Sequence, residues 1–394
     1  MKLYAQQGYG EGEKIFQGLH EGIINGAILS PRDLKPDVAA AKIAKYKAAN
    51  PEADLLIDPQ FYATFAGSSE MARVGKLPEW SHFTSERKSE LEITANVEAI
   101  LHRTLEQIIS LPVTSVITPN IYISRSFDSR EAVIAKNFIR QARSVYQRFG
   151  DNRPLFVTLA VCREALLERG DFEEFLNDIT MLAEPPEGFY VLIGSRGTEV
   201  RTDIFHADVI AGWMLMNHSL SINGFQIING FSDLLTPFLL AAGGTAGASG
   251  WFANLRTFSL DRFQPTQGMA RQPILRYLSA ALLNRVTFTE KDALSGMVPE
   301  VLNGLPHDVD YDPEPDRTSE ALQAWEALQR LNNTLGAGDI EENMTGCNLE
   351  ISRAEALYSE IAGLGFGLDR KSGSDHLEPL REGIHVFKKM TGLD

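Results

Sequence analysis

Phe189-Tyr190-Val191-Leu192-Ile193-Gly194 runs five large apolar or aromatic side chains together, without the in-out alternation of a half-exposed strand. A strand of that composition is buried on both faces, as in parallel sheets covered by helices. Ala27-Ile28-Leu29 and Leu55-Leu56-Ile57 read the same way. Working outward from these gives eight strand candidates: Leu3 to Gln7, Gly26 to Ser30, Asp54 to Asp58, Val113 to Thr118, Leu155 to Val161, Phe189 to Gly194, Gln226 to Asn229 and Gly250 to Leu255. The segments between them carry a helical period. Ala132, Ala135, Phe138, Ile139, Ala142, Val145, Tyr146 and Phe149 recur at spacings of three and four, with Ser129 placed to cap the start and Gly150 to end it. Similar helices are expected after Pro36, Asn96, Asp171, Asp203, Thr236 and Gln272. A doubly wound sheet has the same local pattern, but eight strand-helix units in under 300 residues favour closure into a (β/α)8 barrel, a fold of about 250 residues.

Two stretches break the rhythm. Residues 61–92 form a long strand-to-helix connection, either a lid over the barrel mouth or a solvated insertion. Residues 304–318, rich in Asp and Pro, read as an acidic linker. The predicted organisation is a barrel over residues 1–303, the linker, and a helical C-terminal region over 319–394. That region has helices near Ser319 to Leu335, Ser352 to Ile361 and Leu377 to Met390, packed on the barrel or serving a homo-oligomer or protein contact.

Composition narrows the function classes. The 394 residues carry 37 Lys and Arg against 52 Asp and Glu, a formal charge of -15, which works against an unaided grip on nucleic acid unless basic residues cluster. Two cysteines, Cys162 and Cys347, exclude a disulfide framework and suit a reducing compartment. The N-terminus turns polar before a signal-peptide core forms, and no stretch approaches the ~20 apolar residues of a membrane helix. A cytoplasmic protein without membrane contact is expected.

Barrel ligands bind at the carboxyl ends of the strands, so the strand list becomes a site list. It yields Arg32 and Asp33, Asp58 and Gln60, Asn120, Arg163, Ser195 and Arg196, Asn229, and Asn254 with Arg256. With Arg125 close behind the fourth strand, five of the eight ends carry an arginine. Guanidinium forks match phosphate and carboxylate geometry, so the rim either clamps an anion or pairs with neighbouring acids such as Asp33, Asp128 and Glu164. Asp58 ends a wholly apolar strand, where a carboxyl pKa rises. It is the acid-base candidate, and capping the turn at Pro59 is the alternative role. No histidine falls at a strand end and no H-x-x-x-H spacing occurs, so neither a metal nor a cofactor is expected. Gly8, Gly10 and Gly12 lack the spacing of a dinucleotide fingerprint, and there is no Walker-type loop.

Asp58-Pro59-Gln60-Phe61-Tyr62, the stretch from Ile228-Asn229-Gly230-Phe231-Ser232-Asp233 to Gly243-Gly244, and Ser249-Gly250-Trp251-Phe252-Ala253-Asn254 resemble the (β/α)8 tRNA-guanine transglycosylases. The resemblance covers about sixty residues. It implies a pocket for a nucleobase or nucleotide, or a surface for nucleic acid. It does not carry over the family's covalent mechanism: Ala253 follows Phe252 where the family has its nucleophilic aspartate, Cys347 stands alone where the family has zinc ligands, and paired glycines are missing after Asp58. Two readings follow: an enzyme acting on an anionic, nucleotide-like or nucleic-acid ligand, or a non-catalytic binding or assembly protein that kept the barrel.

Overall fold

The computed structural model describes residues 1–65, 73–84, 86–197, 204–264, 273–309 and 315–393. Parts of the 61–92 connection and of the 304–318 linker, and the helix start expected at Asp203, lie outside the described residues. The strands are β1 (Lys2–Gln6), β2 (Gly26–Leu29), β3 (Asp54–Ile57), β4 (Val116–Thr118), β5 (Tyr122–Ile123), β6 (Leu155–Cys162), β7 (Gly188–Gly194), β8 (Gln226–Asn229) and β9 (Ala246–Ser249). They are all parallel, in the order β3-β2-β1-β9-β8-β7-β6-β4, with β5 also on β6. Thr114 brings the two ends of the path together. Its N–H donates to the Leu55 carbonyl at 2.9 Å, and its hydroxyl oxygen accepts from the Leu55 N–H at 2.7 Å. The result is a nearly closed (β/α)8 barrel.

β4 and β5 are one strand position with a bulge. Thr118 pairs with Val157 and Tyr122 with Ala160, so residues 119–121 face only 158 and 159. Pro119 has no N–H to give, and Asn120 repairs the break, donating from Nδ2 to the Thr158 carbonyl at 2.9 Å. The strand expected at Val113 therefore begins later and runs further than the apolar run suggests.

The barrel helices are α1 (Lys14–His20), α2 (Pro36–Ala49), α3 (Thr94–Ile109), α4 (Arg130–Gln147), α5 (Arg169–Thr180), α6 (Ala207–Ile222) and α7 (Thr236–Ala241). In α4 the expected face is buried, and Ser129 caps it by accepting from the Ala132 N–H at 3.3 Å. After β9 come α8 (Ala253–Arg256), an antiparallel hairpin β10 (Arg276–Ser279) and β11 (Asn284–Thr287), α9 (Phe288–Met297), α10 (Pro306–Val309), α11 (Arg317–Leu335), α12 (Ile340–Gly363) and α13 (Leu377–Thr391). The eighth strand expected at Gly250–Leu255 is thus corrected to Ala246–Ser249. Gly247 there passes so close to Thr236 that a Cβ would lie 2.2 Å from its Cγ2, so tight packing removed the large side chains that mark a strand. The helix expected after Gln272 is corrected to the hairpin. Its inner strand is closed by Gln323, whose amide accepts from the Leu278 N–H at 3.0 Å and donates to the Leu278 carbonyl at 2.8 Å.

α11 packs against α1, α7 and β1, which is the position of the barrel's eighth helix. Trp325 on it donates from Nε1 to the Ser249 carbonyl at 3.1 Å. The helix beyond the 304–318 segment therefore forms part of the barrel wall. α12 is longer than the predicted Ser352–Ile361 helix because an Asp339–Glu342 capping box starts it earlier. α13 lies on α6, with Leu377, Leu380, Ile384 and Phe387 buried. α6 is apolar nearly all round because the barrel covers one side and α13 the other. Among the described residues, no helix is long and apolar enough to cross a membrane.

Candidate functional site

The carboxyl ends of the strands carry two polar centres. The first lies on the barrel axis. Asp58, directly after β3, is fully buried. Its Oδ1 accepts from the Gln60 N–H at 3.0 Å, and its Oδ2 accepts from the hydroxyls of Tyr62 at 2.7 Å and Tyr190 at 3.4 Å. Gln60 takes a positive φ of 55° to make this turn, an uncommon backbone for a side-chain-bearing residue. Asp58 thus caps its turn and also holds a desolvated carboxyl between two phenols. Burial pushes its pKa up to about 6, against the opposing effects of the Tyr62 and Gln60 hydrogen bonds and the Arg262 charge.

Around Asp58, Gln60 Oε1 accepts from the Arg32 N–H at 2.9 Å, and Gln60 Nε2 donates to Ser30 Oγ at 3.1 Å, joining the ends of β2 and β3. Asp33 meets Arg32 Nη1 at 3.3 Å and Arg262 Nη2 at 3.5 Å. Residues 257–263 cover the centre. Phe258 packs edge-on against Tyr62 with centroids 5.1 Å apart, and also meets Phe231 and Tyr122. Its carbonyl accepts from the Ser195 N–H at 2.9 Å.

The second centre is an open cavity of about 600 Å³ over the ends of β7 and β8 and the chain beyond β9, walled by the β10–β11 hairpin and residues 369–371. Trp213, Phe231, Trp251 and Phe252 supply an aromatic wall. The same lining holds Arg256, Arg276, Arg285 and Arg317, with Asp233, Glu320 and Asp369, and Arg317 lies over the Phe252 ring, 5.9 Å from its centroid. Arg285 grips Asp233 with both terminal nitrogens, at 2.5 and 2.8 Å. Glu320 serves both Arg256 at 3.4 Å and Arg317 at 2.6 Å, and Asp369 serves Arg276 at 2.6 Å. Burial pushes the Asp233 carboxyl up, but the Arg285 and Arg256 charges and the Ser249 hydroxyl outweigh it and hold the pKa below the usual range. Four arginines share three carboxylates, and Arg163, Arg370 and Lys371 add positive charge to the lining. This is a cationic cavity in a strongly acidic protein.

The expected site residues divide between these centres. Arg32, Asp33, Asp58 and Gln60 surround the axis, while Arg163, Ser195 and Arg256 line the cavity. Arg196, with its side chain 70% exposed and 3.8 Å from Glu164, borders a smaller groove beside Tyr122. Asn120 is engaged in the β4–β5 bulge. Asn229 holds α6, accepting from Trp213 Nε1 at 2.7 Å and Asn217 Nδ2 at 3.0 Å. Asn254, on α8, keeps a buried Oδ1 without a hydrogen-bond partner among the described residues. Sequence reading missed Tyr62, Tyr190, Arg262, Arg276, Arg285, Arg317 and Glu320. Several stand on the insertion after β9 or on α11, so no strand-end rule reaches them. The positive φ angles of Phe231 and Asp233, 54° and 40°, follow a strand end that was read correctly.

No family model and no curated protein matches the chain. Solved structures similar to it include two dihydrodipicolinate synthases. The one from Bacillus clausii is 9% identical, with 98% of this chain and 97% of that chain covered and a TM-score of 0.34. The one from Oceanobacillus iheyensis is 10% identical, with 99% and 96% covered and a TM-score of 0.23. Likeness this low carries no argument about activity. The resemblance to tRNA-guanine transglycosylases is nevertheless overturned: the structures matched belong to another barrel family. The Phe252–Ala253 stretch that carried it also lies in the turn and short helix beyond β9, not on a strand.

Proposed function

We propose that this barrel protein binds a small organic anion in the cavity over β7 and β8. The single observation that supports this most is the meeting, in one cavity lining, of aromatic side chains with four arginines that share three carboxylates. A cavity of about 600 Å³ is in the range that encloses a small molecule. The guanidinium groups of the lining select a carboxylate or phosphate, and Trp213, Phe231 and Trp251 select an apolar or aromatic body. A thermal-shift series with benzoate, phenyl phosphate and their aliphatic counterparts tests this. The melting temperature should rise with the concentration of at least one aryl anion, and less in Arg317→Met. No shift with any member contradicts the reading.

An enzymatic form of the same reading would use Asp58, a buried carboxyl pushed up to about 6 between two phenols, and requires part of the ligand to reach past the cavity lining, to which Asp58 does not belong. Asp58 would act as acid-base. It predicts that the bound anion is consumed, and that Asp58→Asn stops consumption without weakening binding. A ligand that stays unchanged leaves a binding protein.

A further inference from the structure

The Arg262 guanidinium is buried, with its side chain only 1% exposed. Nevertheless its Nε and Nη1 have no hydrogen-bond partner among the described residues. Nη2 lies 3.5 Å from Asp33, at the long limit of a hydrogen bond. The rings of Phe231 and Phe263 sit 5.5 and 5.3 Å from the guanidinium and shield it from solvent. Buried N–H groups of a cation are unfavourable unless an acceptor meets them. Arg32 stands on the same Phe263 ring, 5.7 Å from its centroid, and the Asp33 carboxylate is divided between the two arginines. The pair carries one more positive charge than Asp33 supplies negative, an excess that Asp58 meets only when it is ionised.

We propose that Arg262, backed by Arg32, forms a second binding site on the barrel axis for a small monoanionic carboxylate. Two carboxylate oxygens match two unpartnered N–H groups of one guanidinium. A monoanion balances the two arginines against Asp33 when Asp58 is protonated, whereas a dianion would leave uncompensated negative charge in a buried place. The rings of Tyr62, Phe258 and Phe263 crowd the centre and Arg262 lines neither the cavity nor the smaller groove, so the ligand proposed is no larger than formate or acetate. This site uses none of the cavity's arginines and does not depend on the cavity reading.

Calorimetric titration of the full chain with acetate and formate, at fixed ionic strength, tests the proposal. The expected result is saturable binding that weakens at least tenfold in Arg262→Met and stays within twofold in Arg317→Met. Absence of saturable binding in the parent means that water alone meets these donors, and overturns it. Affinity lost in Arg317→Met but kept in Arg262→Met moves the anion to the cavity and equally overturns it. Should Arg262→Met not fold, crystals of the parent soaked in bromoacetate decide: anomalous bromine density beside Arg262 supports the site, and density only in the cavity, or none, refutes it.

Discussion

The axial centre and the arginine cavity use the same residue types and solve the burial of charge in opposite ways. In the cavity, charges are met by opposite charges: Arg285 and Asp233 lock bidentately, and Glu320 bridges two arginines. On the axis a carboxyl and a guanidinium are each surrounded mainly by aromatic rings and phenols. Asp58 responds with a raised pKa and Arg262 with unpartnered N–H groups. The cavity thus has a cationic lining whose arginines already have partners, whereas the axis holds groups whose charge state or partners are unfinished.

The largest expected effect lies in the cavity. Arg285→Ala strands a buried aspartate and should destabilise the fold by about 3–5 kcal/mol in urea denaturation. A loss under about 1 kcal/mol would erase the contrast, since the pair would then be no more than a surface ion pair.

Asp58→Asn should act in the other direction. The folded carboxyl titrates at about 6 against an ordinary 3.8, so the folded state binds more protons across that window. Stability from this group is full below about pH 4 and is lost as the pH rises through about 6. The substitution should therefore stabilise the protein at pH 8 by about 3 kcal/mol at most and have little effect at pH 4. Destabilisation at pH 8 that vanishes at pH 4 would mean that Asp58 is a favourably paired anion.

Tyr190→Phe sharpens the comparison by removing one phenol from the axis. Its hydrogen bonds to Gln6 at 3.3 Å and Asp58 at 3.4 Å are long, and the expected loss is about 1 kcal/mol. A loss above 3 kcal/mol would mark the axis as locked like the cavity. Arg196→Ala, at an exposed side chain outside both centres, should change stability by less than about 0.5 kcal/mol and leave anion binding unaltered.

What the sequence made legible follows the same division. Continuous apolar runs marked β2, β3, β6 and β7 because strands buried on both faces leave that pattern, and Asp58 was visible as the polar residue ending one. β9 was displaced because Ala246-Gly247-Ala248-Ser249 is built for close approach by α7, so apolar bulk fell instead on Trp251 and Phe252, which wall the cavity. The β10–β11 hairpin was hidden because its inner strand is completed by a side chain of α11, a contact between residues 45 apart. Arg262, Arg285 and Arg317 were invisible for the same reason. They reach the mouth from the insertion after β9 and from the eighth helix, and no local pattern records where a long insertion folds back.

The central claim is that the arginine cavity is an anion site. Calorimetric titration of the parent and of Arg317→Met with phenyl phosphate tests it most directly, because Glu320 keeps Arg256 as a partner when Arg317 is removed. The account predicts saturable binding to the parent and at least tenfold weaker binding to a folded Arg317→Met. Equal affinity in both proteins, or no binding of either phenyl phosphate or benzoate to the parent, would contradict it.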